Sequence, residues 1–345
     1  MSERVVPGRG LAWLLNTVPV DSFRGKYLHQ MPLWVERTSQ SYFERLPGQP
    51  DIDGLMTSTI LDADPKHGRL VRTEADGSLS ERPFRLTSRG RIDIQHIYRS
   101  YAEGYSVVLN LVEQRSAAVA TVCRALARDL GCWVGANYYL TPRGAQGFMA
   151  HYDSHDVLIA QISGRKSWRV GPVPYAGVDG PGLAKPDFEA TAREWRLNAG
   201  DVAYLPKGTA HQAATDNSSS LHVTFGMEPW PSDESKVELR SAYVSRFLVR
   251  AGHFASLDSL SQLAGDSVII RGVDGPLILI DSADEVILVF SDGVVSFPPR
   301  FRNALGFVIR TEEFKVEDIP ALEGSREQID FVQRLISEGA LALPR

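Results

Sequence analysis

Cysteine is nearly absent: Cys123 and Cys132 are the only two in 345 residues. One pair of thiols cannot staple a chain of this length, so no disulfide framework is expected and a reducing cytoplasm fits best, with both cysteines as small core residues. Positive charge is in slight deficit, 37 Lys and Arg against 42 Asp and Glu, for a net charge of −5. That balance argues against a surface built to bind phosphate, and direct DNA binding is not expected. Long apolar runs are missing too. No stretch reaches the roughly 18 uncharged apolar residues of a membrane span. The apolar patch in "MSERVVPGRGLAWLLNTVPVDSF" is also too short for a cleaved leader, and none is expected. No internal repeat or low-complexity tract interrupts the chain.

What is present is a chain that changes period along its length. A length of 345 residues suggests two or three domains at roughly 150 residues each. In the first hundred residues, Asp21 is expected to cap a short helix through Phe23, Tyr27 and Leu28. Asp93 should cap another through Ile94, Ile97 and Tyr98 that Gly104 stops. "YSVVLNLV" reads as a strand. Val119, Val122, Cys123, Leu126 and Leu130 recur at helical spacing, and Gly131 suits a left-handed C-cap. After Gly131 come "WVGANYYLT", "GFMAHYD", "DVLIAQIS", "KSWRVG", "EWRLNAGDVAYLP", "HQAAT" and "SLHVTFGM". These are short, β-branched and aromatic, and separated by Gly, Pro and Asn turns, which points to an antiparallel barrel or sandwich.

Helical pattern returns in "ESKVELRSAYVSRFLVRAG", where Val237, Leu239, Tyr243 and Phe247 share a face, as a connector or dimerisation helix would. The tail opens with a hairpin signal, "EVILVFSDGVVSFPP". It ends in a helix with Ser325 and Gln328 at capping-box spacing and Gly339 as terminator. The expected organisation is a barrel with an N-terminal helical region over residues 1–232, a helical connector over 233–265 and a small winged-helix-like domain over 266–345. Few exposed basic residues fall in the tail, so it reads as a docking or dimer-supporting module.

The chemistry concentrates in "HYDSHDVLIAQISGRKSWRV", residues 151–170. In a strand, residues i and i+2 share a face, so His151 and Asp153 present an imidazole and a carboxylate side by side. Alone the pair is a weak signal, because chance produces about one HxD in such a chain. "GDVAYLPKGTAH" strengthens it. Gly200, Pro206, Gly208 and His211 have the spacing by which a cupin barrel turns into a strand and presents a histidine inward. His151, Asp153 and His211 then make a two-histidine, one-carboxylate facial triad suited to non-haem Fe(II), with three positions open for a chelating keto acid and dioxygen. A structural zinc site would instead close the metal with four ligands, several of them usually cysteine. Lys166, fifteen residues past His151, follows an expected hairpin turn at Gly164. It is placed to hold the far carboxylate of a dicarboxylate whose near end chelates the metal. Read by itself, a lysine at a strand start is usually a solvated edge residue.

These motifs resemble the JmjC-type 2-oxoglutarate oxygenases, specifically their ribosomal-oxygenase branch. "NYYLTPRGAQGFMAHYDSHDVLIAQISGRKSWRV" resembles that branch's core, and "HQAATDNSSSLHVTFGM" its segment around the distal histidine. The resemblance implies a double-stranded β-helix (cupin/JmjC) barrel, mainly β with helices, then a helical dimerisation region and a winged-helix-like tail. It implies that His151, Asp153 and His211 bind Fe(II), that Lys166 grips 2-oxoglutarate, and that Asn137 and Thr224 contact this cosubstrate. Without the resemblance, Asn137 and Thr224 are ordinary strand residues. The sequence departs from the family at Met149 and Ala150, where proline often precedes the HxD, and at Ser154 and His155. These positions lie near the substrate mouth and put the substrate in question, not the iron. His155 either touches substrate or is a spare solvated side chain. His222 reads as a packed, hydrogen-bonded histidine and Trp168 as a barrel-packing residue.

The function implied is oxygenation, with O2 and 2-oxoglutarate as cosubstrates, of a side chain in a polypeptide, a ribosomal protein first, by a cytoplasmic homodimer. Alternatives are a ribosomally made natural-product precursor peptide as substrate, N-methyl demethylation, and a non-enzymatic metal-binding cupin scaffold. Lys166 speaks against the scaffold, which needs no cation aimed at a dicarboxylate.

Overall fold

The structure is a computed structural model, and it describes residues 10–57, 67–171, 188, 190–229, 253–273, 277–290 and 293–344. The expected helix through Val237, Leu239, Tyr243 and Phe247 lies outside the described residues. The chain divides into two compact units, one of residues 1–126 and 132–228, the other of residues 127–131 and 229–345.

The first unit is built on ten antiparallel strands: β1 (Leu33–Val35), β2 (Gly68–Thr73), β3 (Leu79–Pro83), β4 (Ser106–Leu109), β5 (Cys132–Thr141), β6 (Asp156–Val170), β7 (Arg193–Asn198), β8 (Val202–Leu205), β9 (His211–Ala214) and β10 (Ser220–Pro229). They run in the order β1-β8-β6-β10-β5-β4-β2-β3, with β7 and β9 added on β6. This is the antiparallel jelly-roll arrangement that the sequence implies. Strand alternation decides which residues reach the interior. In β10, Leu221, Val223, Phe225 and Met227 are buried on one face, while His222 and Thr224 turn to a cavity on the other.

β6 departs from expectation. In place of a hairpin at Gly164, the chain continues as one 15-residue strand. Its first half pairs with β8 and β10, its second with β7 and β9. A register shift opposite Leu221 and His222 leaves one extra residue on β6. The bulge reverses side-chain parity. Val157 and Ile159 before it, and Lys166 and Trp168 after it, therefore face the same cavity. Gly164, at φ 66°, allows the bend, and a Cβ there would lie 1.9 Å from the Ser219 carbonyl oxygen.

The expected helix through Val119 and Leu130 spans Ala117–Leu130, and Gly131 follows it at φ 63°. Asp93 caps Ile94–Ala102 by accepting the His96 amide at 3.1 Å. Asp21 does not cap. The helix Val20–Lys26 starts after Pro19 and encloses Asp21 in its first turn, since proline fixes the entering φ and needs no donor partner. "GFMAHYD" is not a strand either; it makes only an isolated bridge, His151 to His211.

The second unit contains two three-stranded sheets. β11 (Val268–Arg271) is flanked by β15 (Glu313–Lys315) and β16 (Leu341–Ala342), while β12 (Ile278–Asp281) joins the expected hairpin of β13 (Val286–Phe290) and β14 (Gly293–Phe297). Helices Arg302–Arg310 and Ser325–Ser337 pack with them around Phe297, Val308, Phe331 and Leu335. Gly324, not Ser325, occupies the N-cap of the last helix, and Gln328 donates to the Glu317 and Ile319 carbonyls instead of closing a capping box.

Candidate metal and cosubstrate site

A cavity of about 170 Å³ opens inside the jelly roll, and His151, Asp153, His211, Lys166, Tyr139 and Thr224 all line it. Backbone pairing brings the first three together. The His151 amide donates to the His211 carbonyl at 3.0 Å and the His211 amide to the His151 carbonyl at 2.8 Å, while Gly208 N–H donates to the Asp153 carbonyl at 2.9 Å. These bonds replace the regular strand expected there. Convergence of the side chains therefore comes from a locked irregular segment, not from period-two alternation alone.

Both imidazoles are held in one tautomer. Nδ1 of His151 lies 2.8 Å from the Met149 carbonyl oxygen, and Nδ1 of His211 lies 2.9 Å from that of Thr209. A carbonyl can only accept, so each Nδ1 carries the proton and each Nε2 keeps a free lone pair. Burial, reinforced by His151, lowers the His211 pKa to about 4 and keeps the ring neutral at physiological pH. Nε2 of His211 is 3.7 Å from Oδ2 of Asp153, and one potential ligand atom from each of the three residues lies within 4.8 Å of the others. Two imidazole nitrogens and one carboxylate make the donor set a divalent first-row cation takes, with room for exogenous ligands.

Deeper in the cavity, Lys166 is 5% exposed, and burial lowers its pKa to about 7. Its ammonium donates to Thr141 Oγ1 at 3.0 Å, and Ser106 Oγ donates to the same oxygen at 3.1 Å. No carboxylate pairs with Lys166 among the described residues. Two further buried polar atoms on residues of the wall, Trp168 Nε1 and His222 Nδ1, lack a hydrogen-bond partner there. His222 is indeed packed, stacked on Tyr139 with ring centroids 4.8 Å apart and edge-on to Trp168 at 5.4 Å. Burial holds its pKa well below the usual histidine value, with the nearby Lys166 adding to the effect. A buried cation beside unsatisfied polar atoms is costly unless an anion joins it.

Thr224 lies on the cavity wall. Asn137 does not line it. Its side-chain oxygen accepts the Leu111 amide at 3.2 Å, and its side chain hydrogen-bonds Tyr139, so any action on the cavity passes through that phenol. His155 is neither spare nor on the wall. Its imidazole covers Gly226, where a Cβ would come within 2.8 Å of Nε2, and Nδ1 sits 3.8 Å from Glu228. Tyr139 and Thr141 were missed at the level of sequence. They occupy i+2 and i+4 from Asn137 in "NYYLT", which period-two alternation puts on one face.

Comparison with known proteins agrees with this geometry. Residues 111–235 match the family model of the JmjC domain. This segment, which holds the triad and Lys166, is similar to JmjC domains. Among curated relatives, the bifunctional lysine-specific demethylase and histidyl-hydroxylase NO66 of Drosophila mojavensis is 30% identical over 232 residues, covering 64% of this chain and 25% of that protein. Its Dictyostelium discoideum counterpart is 29% identical over 228 residues, covering 64% and 43%. The chain thus spans less than half the length of these relatives. Among solved structures, YcfD, a ribosomal oxygenase from Escherichia coli in complex with cobalt and 2-oxoglutarate, covers 95% of this chain and 99% of its own, at TM-score 0.54 and 15% identity. That likeness is one of fold. No helix among the described residues is long and apolar enough to cross a membrane.

Proposed function

We propose that the protein is an Fe(II)- and 2-oxoglutarate-dependent oxygenase that hydroxylates a side chain of a polypeptide, with a ribosomal protein as the first candidate. The observation that carries this reading is a single cavity with a facial triad at one end and an unneutralised buried lysine at the other. A dicarboxylate spans such a pair of charges. The names of the NO66 relatives and of YcfD support the same reading.

His151, Asp153 and His211 would hold the iron, each histidine through Nε2. When bound, iron with 2-oxoglutarate and dioxygen supplies the oxidising chemistry: 2-oxoglutarate leaves as succinate and CO2, and one oxygen atom enters the substrate C–H bond. The protein's part is placement. Lys166 holds the distal carboxylate through a charge-assisted bond, worth about 1.5–3 kcal/mol net. Thr141 accepts one ammonium hydrogen and so orients the others toward the ligand, and Ser106 fixes the Thr141 hydroxyl by donating to it. Tyr139, set by Asn137, and Thr224 complete the cosubstrate wall. Val157, Ile159 and Trp168 keep it apolar and exclude water. The metal dication, the cosubstrate dianion, Asp153 and Lys166 sum to zero charge, as a buried site requires.

The remaining expectations accompany this proposal: a cytoplasmic homodimer, with the connector over 233–265 and the tail over 266–345 as dimer-supporting and docking modules. The test is direct. Mn(II)-loaded protein should melt at higher temperature when 2-oxoglutarate is added, and Fe(II)-loaded protein should form succinate and add the mass of one oxygen atom to a polypeptide. Failure of metal-loaded protein to bind 2-oxoglutarate refutes the reading.

A further inference from the structure

The charge balance of the site is complete without Arg69, yet Arg69 lines the same cavity. Register explains how it gets there. Arg69 of β2 pairs with Val108 of β4, and Val108 pairs with Tyr139 of β5, so the three side chains form one cross-strand row. With strands about 4.8 Å apart, Arg69 stands roughly 10 Å along the sheet from the strand of Tyr139, at the flank of the cavity. Its guanidinium carbon lies 5.6 Å from the centre of the Phe148 ring, which is itself 5.5 Å from the His151 ring. One aromatic ring therefore separates the guanidinium from the metal ligands.

This cation is poorly neutralised. Its one ion pair among the described residues joins Nε to Glu81 at 3.7 Å, between side chains 39% and 47% exposed. A pair so solvated contributes little. Nε, although buried, has no hydrogen-bond partner among the described residues. A guanidinium beside an aromatic ring can still offer two N–H groups in a two-pronged bond to a carboxylate, which a lysine in the same place would not form. Both carboxylates of 2-oxoglutarate are already accounted for by the triad and Lys166, so the anion that Arg69 meets comes from elsewhere.

We infer that Arg69 is a specificity-determining residue that reads an aspartate or glutamate of the polypeptide substrate. That residue lies within a few positions of the one presented to the metal, because only the Phe148 ring stands between the guanidinium and His151 and an extended chain rises about 3.3 Å per residue. The inference rests on the oxygenase reading.

The experiment is a selection from a display library of nine-residue peptides, randomised at every position, on Mn(II)- and 2-oxoglutarate-loaded protein. The parent should enrich peptides carrying Asp or Glu at a fixed offset. Arg69→Ala should lose that enrichment and bind the selected peptide about tenfold more weakly. Arg69→Glu should reverse the preference, enriching Lys or Arg at the same offset. All three proteins should still show a rise in melting temperature with 2-oxoglutarate, which separates a recognition defect from misfolding. The two failures are distinguishable. No 2-oxoglutarate-dependent rise in the parent refutes the oxygenase reading. A normal rise with no enrichment of acidic residues, or with enrichment unchanged by Arg69→Glu, refutes the role of Arg69.

Discussion

The two ends of the cavity are solved in opposite ways. At the metal end both imidazoles are prepared by their own backbone. Carbonyls two residues back fix both histidine tautomers, and mutual backbone bonds clamp the segment. At the Lys166 end the charge is left uncompensated, with one hydroxyl as its only hydrogen-bonding partner among the described residues. The difference is that between a site preorganised for its ligand and one whose cost is offset only by the ligand. The first should persist in the free protein, whereas the second should be a local source of instability until a dianion arrives.

The largest effect is expected at the metal end. His151→Ala, Asp153→Ala or His211→Ala should abolish succinate formation, and isothermal titration with Mn(II) should show the loss of metal affinity behind it. Lys166→Met should separate the ends: metal binding stays, 2-oxoglutarate no longer raises the melting temperature, and the ligand-free protein becomes more stable at neutral pH. The sign follows from linkage. The folded-state pKa of Lys166, about 7, lies below the ordinary lysine value of 10.5. Between those values the unfolded chain binds more protons, so the stability of the free protein should rise with pH across that window. Below it, both states carry the proton and the burial penalty is complete. Lys166→Met should flatten the rise, and a pH series of thermal melts checks it. An unchanged slope would mean that Lys166 is not buried as a cation.

Gly164→Ala tests whether the bulge delivers the lysine. The added Cβ would collide with the Ser219 carbonyl. A loss of about 2 kcal/mol or more of stability is expected in urea titration, with weaker 2-oxoglutarate binding than the stability loss alone explains. Thr141→Val should be milder. It removes the acceptor of Lys166 and should raise the Kd for 2-oxoglutarate about three- to tenfold with metal affinity unchanged. His155→Ala, off the cavity wall, should alter 2-oxoglutarate binding least of all.

Much of the metal end was readable in sequence because its features are local. HxD spacing and the Gly, Pro and His pattern before His211 depend on strand alternation and turn chemistry within a dozen residues. The helix Ala117–Leu130 was equally plain, since its apolar period and Gly131 agree. Reading stopped where long-range pairing took over. Asp21 has the composition of a cap, but Pro19 starts the helix earlier. Gly164 has the composition of a hairpin turn, yet strands on both sides of β6 hold the chain extended, so that the same glycine bends a strand instead.

Sequence alone determined which groups are the candidates for chemistry here: two histidines, one carboxylate and one lysine at spacings that only an inward-facing β arrangement brings to one cavity. Tertiary structure decided what each of them experiences. A single bulged residue turns Lys166 inward, burial removes water from it, and the Arg69–Val108–Tyr139 row brings a second cation to the cavity from a strand far away in the chain. Identity is written residue by residue, but dielectric environment and strand register are properties of the whole packed sheet, and no local stretch encodes them.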